Sequence, residues 1–214
     1  MIHVYGVVDG LAELPPVAGL EDAPLERRRV ETLEVVLSRA QTPPSAQVSR
    51  DAVLRHAQVV EALAARSAAI LPAQLGHAFR DEDELETAVR SQAQQLARGL
   101  ERVRGCVEFG LRAIPAEGDD EVEAGSGAEY MRARLEQVRR HDGLVARLHE
   151  PLARVARAAT VRPQNAELNA AYLVAREDVG EFRATVARLE RAPDLTVVCT
   201  GPWPPYSFAT EEER

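Results

Sequence analysis

Ala69-Ile70-Leu71-Pro72-Ala73-Gln74-Leu75-Gly76-His77-Ala78-Phe79-Arg80-Asp81-Glu82-Asp83-Glu84 is the stretch whose reading decides the fold class. Its first half is short and apolar and predicts a buried strand within residues 68–75, ending near Pro72 or Gly76. Its second half opens a helix. Asp81 with Glu84 three residues on is a capping box with Asp in place of Ser or Thr, and carboxylates in a first turn favour the positive end of the helix dipole. The run Asp81–Glu84 also suggests a divalent cation site, but capping accounts for it sufficiently. Leu85, Val89, Ala93, Leu96, Leu100 and Val103 continue as an apolar stripe until Gly105, and Cys106 to Ile114 reads as another strand.

Upstream, Ile2 to Val8 is a strand candidate, and Leu25–Val30 and Leu33–Leu37 pair as two short strands. The triplet Arg27-Arg28-Arg29 is expected on a solvated face. Ser49 caps a helix reaching about Arg66, whose apolar positions are Val53, Leu54, Ala57, Val60 and Ala64. The expected class is α+β. Residues 1–114 are assigned to an N-terminal ferredoxin-like sandwich with its helices on one face of a mainly antiparallel sheet.

Residues 115–127 are acidic and without periodicity, and read as a linker. Residues 128–214 form the second expected domain. Its first part is a long helix to about Ala159, with Met131, Leu135, Val138, Val145, Leu148, Leu152 and Val155 on a stripe expected to be buried. Gly143 and Pro151 make that helix kinked or a hairpin. A strand (Asn169–Arg176), a helix (Val179–Arg191) and a strand (Leu195–Thr200) follow, then an aromatic–proline tail.

Composition removes several function classes. The 214 residues carry a formal net charge of −8, which disfavours nucleic acid as the main partner. All 26 basic residues are Arg, so Walker-A, Schiff-base and kinase-type lysine chemistry is excluded. No apolar run reaches the roughly 20 residues of a membrane span, and the N-terminus lacks the pattern of a secretory signal; a cytoplasmic protein is expected. Cys106 and Cys199 read as buried free thiols. Gly125-Ser126-Gly127 lacks nucleophile-elbow spacing, and His3, His56, His77, His141 and His149 show no metal-ligand spacing, with His141 and His149 expected exposed. Neither a cofactor, a metal nor enzymatic activity is expected.

Two segments stand out as partner-binding candidates: Leu71, Pro72, Leu75 and Phe79 in the apolar turn, and Trp203, Pro204, Pro205, Tyr206 and Phe208 in the tail. The tail is expected to be tied down, with Trp203 buried and Tyr206 or Phe208 available. The opening Val4-Tyr5-Gly6-Val7-Val8, the Leu71-to-Gly76 turn with Phe79-Arg80-Asp81, Asn169-Ala170-Ala171-Tyr172-Leu173-Val174, and Thr200-Gly201-Pro202-Trp203-Pro204-Pro205-Tyr206-Ser207-Phe208 resemble, in order, segments of the gas vesicle protein F/L family (GvpF/GvpL). Leu75 and His77 depart from that pattern. The resemblance implies a two-domain α+β protein needed for gas vesicle formation. It further implies association with the small hydrophobic shell protein, and with other accessory proteins, during assembly or as a minor shell component. The alternative reading is a ligand-binding regulatory module of ferredoxin-like type, carried by fold analogy alone.

Overall fold

In the computed structural model, the residues described are 1–39, 49–115, 126–129, 131–132, 135, 139, 143, 145–164, 167–191 and 195–209. The class is α+β, built as two compact units. The first comprises Met1–Cys106 together with the returning segment from Trp203; the second comprises Val107–Pro202.

The first unit holds β1 (Ile2–Asp9), β2 (Leu25–Val30), β3 (Leu33–Arg39), α1 (Arg50–Ala64), β4 (Ala69–Pro72), β5 (Ala78–Phe79), α2 (Glu82–Ser91) and α3 (Ala93–Val103). The sheet order is β2-β3-β1-β4, with β5 also pairing β1, and every pairing is antiparallel. The β2–β3 hairpin closes at Val30 opposite Leu33, and Glu31 takes the left-handed conformation (φ 54°) that so tight a turn demands. A register shift between Val4 and Gly6 bends β1.

Seven of the eight residues of β1 are buried, because both faces of the sheet are covered. Ile70 of β4 clusters with Val59, Val60 and Leu63 of α1. The next residue, Leu71, lies against Gly99 of α3, where an added Cβ would come within 3.0 Å of a Leu71 methyl. Successive strand residues point to opposite faces, so α1 and α3 sandwich the sheet instead of sharing one face as expected.

The apolar stripe of α1 is also rotated from the expected one. Val53 and Leu54 are 44% and 51% exposed, while His56, Val59, Val60 and Leu63 face the core. The helix predicted across Leu85–Val103 is two helices broken at Gln92. Asp81 accepts a hydrogen bond from the Glu84 amide (2.9 Å), and Glu84 accepts from the Arg80 amide (2.7 Å), so the acidic run does act as a cap. The arginine triplet is less idle than expected: Arg28 pairs with Glu82 and Glu86 of α2, and Arg27 donates to the Leu11 carbonyl.

The second unit contains β6 (Cys106–Pro115), a π-helical turn (Val145–His149), α4 (Glu150–Ala153), β7 (Ala158–Gln164), β8 (Glu167–Ala175), α5 (Val179–Leu189) and β9 (Leu195–Trp203). The sheet order is β7-β8-β6-β9. A strand, helix, strand, strand, helix, strand succession in that order is the split βαβ of ferredoxin-like folds. That topology therefore belongs to the second unit, not to residues 1–114. The strand 106–114, expected to complete the first sheet, instead pairs with β8 and β9, placing Val107, Phe109, Leu111 and Ala113 in the second core beside Leu168, Tyr172 and Phe182.

Most of the linker 115–127 and much of the expected long helix lie outside the described residues. Of the described stripe positions, Leu148 and Leu152 are buried, whereas Met131 and Leu135 are 65% and 51% exposed. The expected distortion before Pro151 is present as the π-helical turn, which accommodates a residue without an amide hydrogen. The helix ends at Ala153, not Ala159, because Ala158–Gln164 pairs with Glu167–Leu173 as a hairpin.

Asp81→Ala should lower the stability of the protein by about 1 kcal/mol through loss of the cap. Gly19→Ala should cost more, about 1–3 kcal/mol, since its Cβ would come within 2.5 Å of Tyr5 Oη and 2.8 Å of Ser38 Oγ. Urea denaturation checks both; a Gly19→Ala effect under about 0.5 kcal/mol would contradict the packing around Tyr5.

Candidate partner-binding surface

The nine candidate residues fall into three groups once the fold is known. Leu71 and Pro72, at the end of β4, are buried and serve the sheet. Leu75 and Phe79 are half-buried in the segment after β4. Phe79 sits opposite Ile2 in the β1–β5 ladder, and its ring meets His77 edge-on at 5.2 Å. The tail returns to the first unit and packs on β4, so the two segments singled out in the sequence are neighbours.

In that tail Pro204, Pro205 and Phe208 are buried, and the guanidinium of Arg102 on α3 donates to the Phe208 carbonyl at 2.6 Å. Trp203 and Tyr206 point outward, 45% and 37% exposed. This reverses the expectation for Trp203 and Phe208. Trp203 is the last residue of β9, where the chain leaves the ladder. Residues 206–208 then form a 3₁₀ turn. With three residues per turn, Tyr206 and Phe208 project in different directions, and the Arg102 anchor turns Phe208 inward.

The Tyr206 phenol is pushed up to about 12, first by burial of its hydroxyl end and then by the Glu61 carboxylate on α1. It therefore stays a neutral hydrogen-bonding group throughout the working pH range. A partly exposed aromatic ring that carries a neutral polar group is well suited to a contact surface. Outside this group, a depression of about 610 Å³ lies where α2 gives way to α3, lined by Glu31, Arg90, Gln92, Gln95 and Arg98 among others. Its lining is almost entirely exposed, so it is an open polar surface and not a water-excluding cleft.

A buried polar cluster escaped the sequence reading. Tyr5 Oη contacts Ser38 Oγ at 2.9 Å and accepts from the Leu20 amide at 2.7 Å. Tyr5 stacks on His56, and His3 meets both rings edge-on. The available signal was a histidine inside an apolar strand and another amid the apolar residues of α1. In the second unit His149, expected exposed, is half-buried, with Nδ1 3.1 Å from Tyr172 Oη; His141 lies outside the described residues. Cys106 is buried and Cys199 half-buried, both as free thiols. Among the described residues, no three His, Cys, Asp or Glu side chains converge as a metal site, and no helix is long and apolar enough to cross a membrane.

The fold and its surface thus define a two-unit α+β protein that presents aromatic side chains from a docked tail. The sequence matches the model of the gas vesicle synthesis protein GvpL/GvpF family over residues 1–210, and the chain belongs to that family. Gas vesicle protein L of a Streptomyces species is 34% identical over 220 residues, covering 91% of this chain and 77% of that protein. Gas vesicle protein F2 of Halobacterium salinarum is 27% identical, covering 97% and 91% respectively. The crystal structure of GvpF from Anabaena superposes with a TM-score of 0.80 at 17% identity over 99% of this chain and 97% of that one, which shows the shared fold.

Phe208→Ala should destabilise the protein by about 3 kcal/mol, as for a buried aromatic truncated in a core. Trp203→Ala should change stability by less than about 1 kcal/mol. Chemical denaturation of the two variants side by side checks the order; a larger loss at Trp203 would restore the arrangement expected from sequence.

Proposed function

We propose that this protein takes part in gas vesicle formation as a non-enzymatic assembly or structural component. In this role it holds the small hydrophobic shell protein through the surface that Trp203 and Tyr206 present. Its place would be the cytoplasm and the gas vesicle. The observation that supports the reading is the division of labour in the tail. Pro204, Pro205 and Phe208 are spent on anchoring, while the only tryptophan and a tyrosine remain outside. Aromatic anchors on a fixed backbone are the usual source of binding energy at protein interfaces, and a tail already ordered pays little further entropy on binding. The formal charge of −8 suits a carrier of an apolar subunit, since it opposes self-association while one patch stays adhesive. Leu75 and Phe79, half-buried in the segment after β4, are the second contact element of the proposal.

Immobilised protein should capture the shell protein from a co-expressing cell. Trp203→Ala and Tyr206→Ala should each weaken capture by about 2 kcal/mol, roughly thirtyfold, with the thermal midpoint unchanged. Equal capture by the doubly substituted protein would remove this surface from the interface.

A further inference from the structure

We infer that the segment Ala73–Phe79 is an acid-released flap, held on the first sheet by the neutral His3–His56 pair and freed when that pair takes up a proton. The inference goes beyond the proposed shell-protein contact and does not depend on it.

The holding contacts are backbone pairs to β1 and one bond from a histidine ring. The Ala73 amide donates to the Tyr5 carbonyl at 2.9 Å, and the Val4 amide donates to the His77 carbonyl at 3.0 Å. Ala78 pairs with His3 and Phe79 with Ile2 in the two-residue strand β5. The Ala73 carbonyl accepts from His56 Nε2 at 2.9 Å. A carbonyl can only accept, so His56 carries its hydrogen on Nε2, and its Nδ1 accepts from His3 Nε2 at 3.0 Å. His3 Nδ1 is then left as a buried acceptor with no partner.

That arrangement has room for two protons and no more. A third, wherever it enters, leaves an N–H on His3 Nδ1 with nothing to receive it and places a positive charge in the core. A fourth sets two N–H groups face to face across 3.0 Å. Among the described residues, the charged or titratable groups acting on the rings are each other, His77 of the flap and, through Tyr5, Arg55 of α1. Each is cationic or neutral, and the Asp22 carboxylate is already taken up by Arg55 at 3.1 Å. Burial, with repulsion from His56 and His77, pushes His3 down to about 4; burial also lowers His56, outweighing its bond to the Ala73 carbonyl, which favours the protonated ring. His3 and His56 are 1% and 4% exposed, and lifting the flap is the local motion that returns them to water.

The sign follows from linkage. A histidine lowered in the closed state is neutral there while the open state is protonated, so closure is fully favoured above about 6.5 and weakens as pH falls toward 4. His3 alone should raise the opening equilibrium about twentyfold between pH 7 and 5.

Amide hydrogen exchange on the full chain, corrected for intrinsic rates, tests this. The Val4 and Ala73 amides, whose bonds cross between the flap and β1, should lose protection by at least that factor at pH 5, while amides of β8 keep theirs. The His3→Gln, His56→Gln double substitution should abolish the difference. Protection that is flat with pH, or an identical loss in the double variant, would overturn the proposal. Should that variant not fold, imidazole NMR titration of the unsubstituted protein decides: two rings titrating near 6.5 would overturn the flap, and two titrating well below it would support it.

Discussion

Burial of β1 on both faces is the constraint on which the first unit depends. A strand covered on one side can let its polar groups face water; one covered on both sides must satisfy them internally. Here α1 closes one face and α3 the other. The polar residues of β1 are accordingly absorbed into specific partners: Tyr5 by Ser38 and the Leu20 amide, His3 by His56. Gly19 is glycine because the Tyr5 hydroxyl and Ser38 leave no space for a Cβ. The Tyr5 phenol thus ties the loop before β2 to the centre of the sheet, alongside the Arg27–Leu11 contact and the burial of Leu11.

The same constraint explains why the tail returns. Strand β4 is buried at all four positions although it is an edge in the sheet order. The 3₁₀ turn at Tyr206–Phe208 packs on it, and Phe208 is locked there through the Arg102 contact. Edges left bare invite unwanted pairing. Covering this one with residues 206–208 also fixes where Trp203 and Tyr206 project. Stability and presentation are therefore coupled in one short segment, with different side chains serving each.

The second unit works by simpler means. Its sheet presents alternating residues inward, and Phe109, Tyr172 and Phe182 form an aromatic centre with ring separations of 4.9 and 5.4 Å. The π-helical turn before Pro151 resolves the missing amide while keeping Leu148 and Leu152 on the core side. Membership of the gas vesicle GvpL/GvpF family extends over both units, since the family model matches residues 1–210.

The sequence by itself determined the α+β class, the position of most strands, the capping at Asp81 and the family. Those features are written in local spacing: alternation, turn residues, and Asp81 followed by Glu84. It also marked the turn after β4 and the tail as unusual, because a cluster of aromatics and prolines is visible without coordinates. Only the tertiary structure decided which tail rings face outward, since that depends on the 3₁₀ turn and on Arg102, about a hundred residues away in sequence. Only it decided that Cys106 begins a strand of the second sheet, because a buried strand reads alike whichever neighbours it joins. The His3–His56 pair was illegible for the same reason. Each histidine is unremarkable in its own segment, and the chemistry exists only because 53 residues of intervening chain bring the two rings to hydrogen-bonding distance.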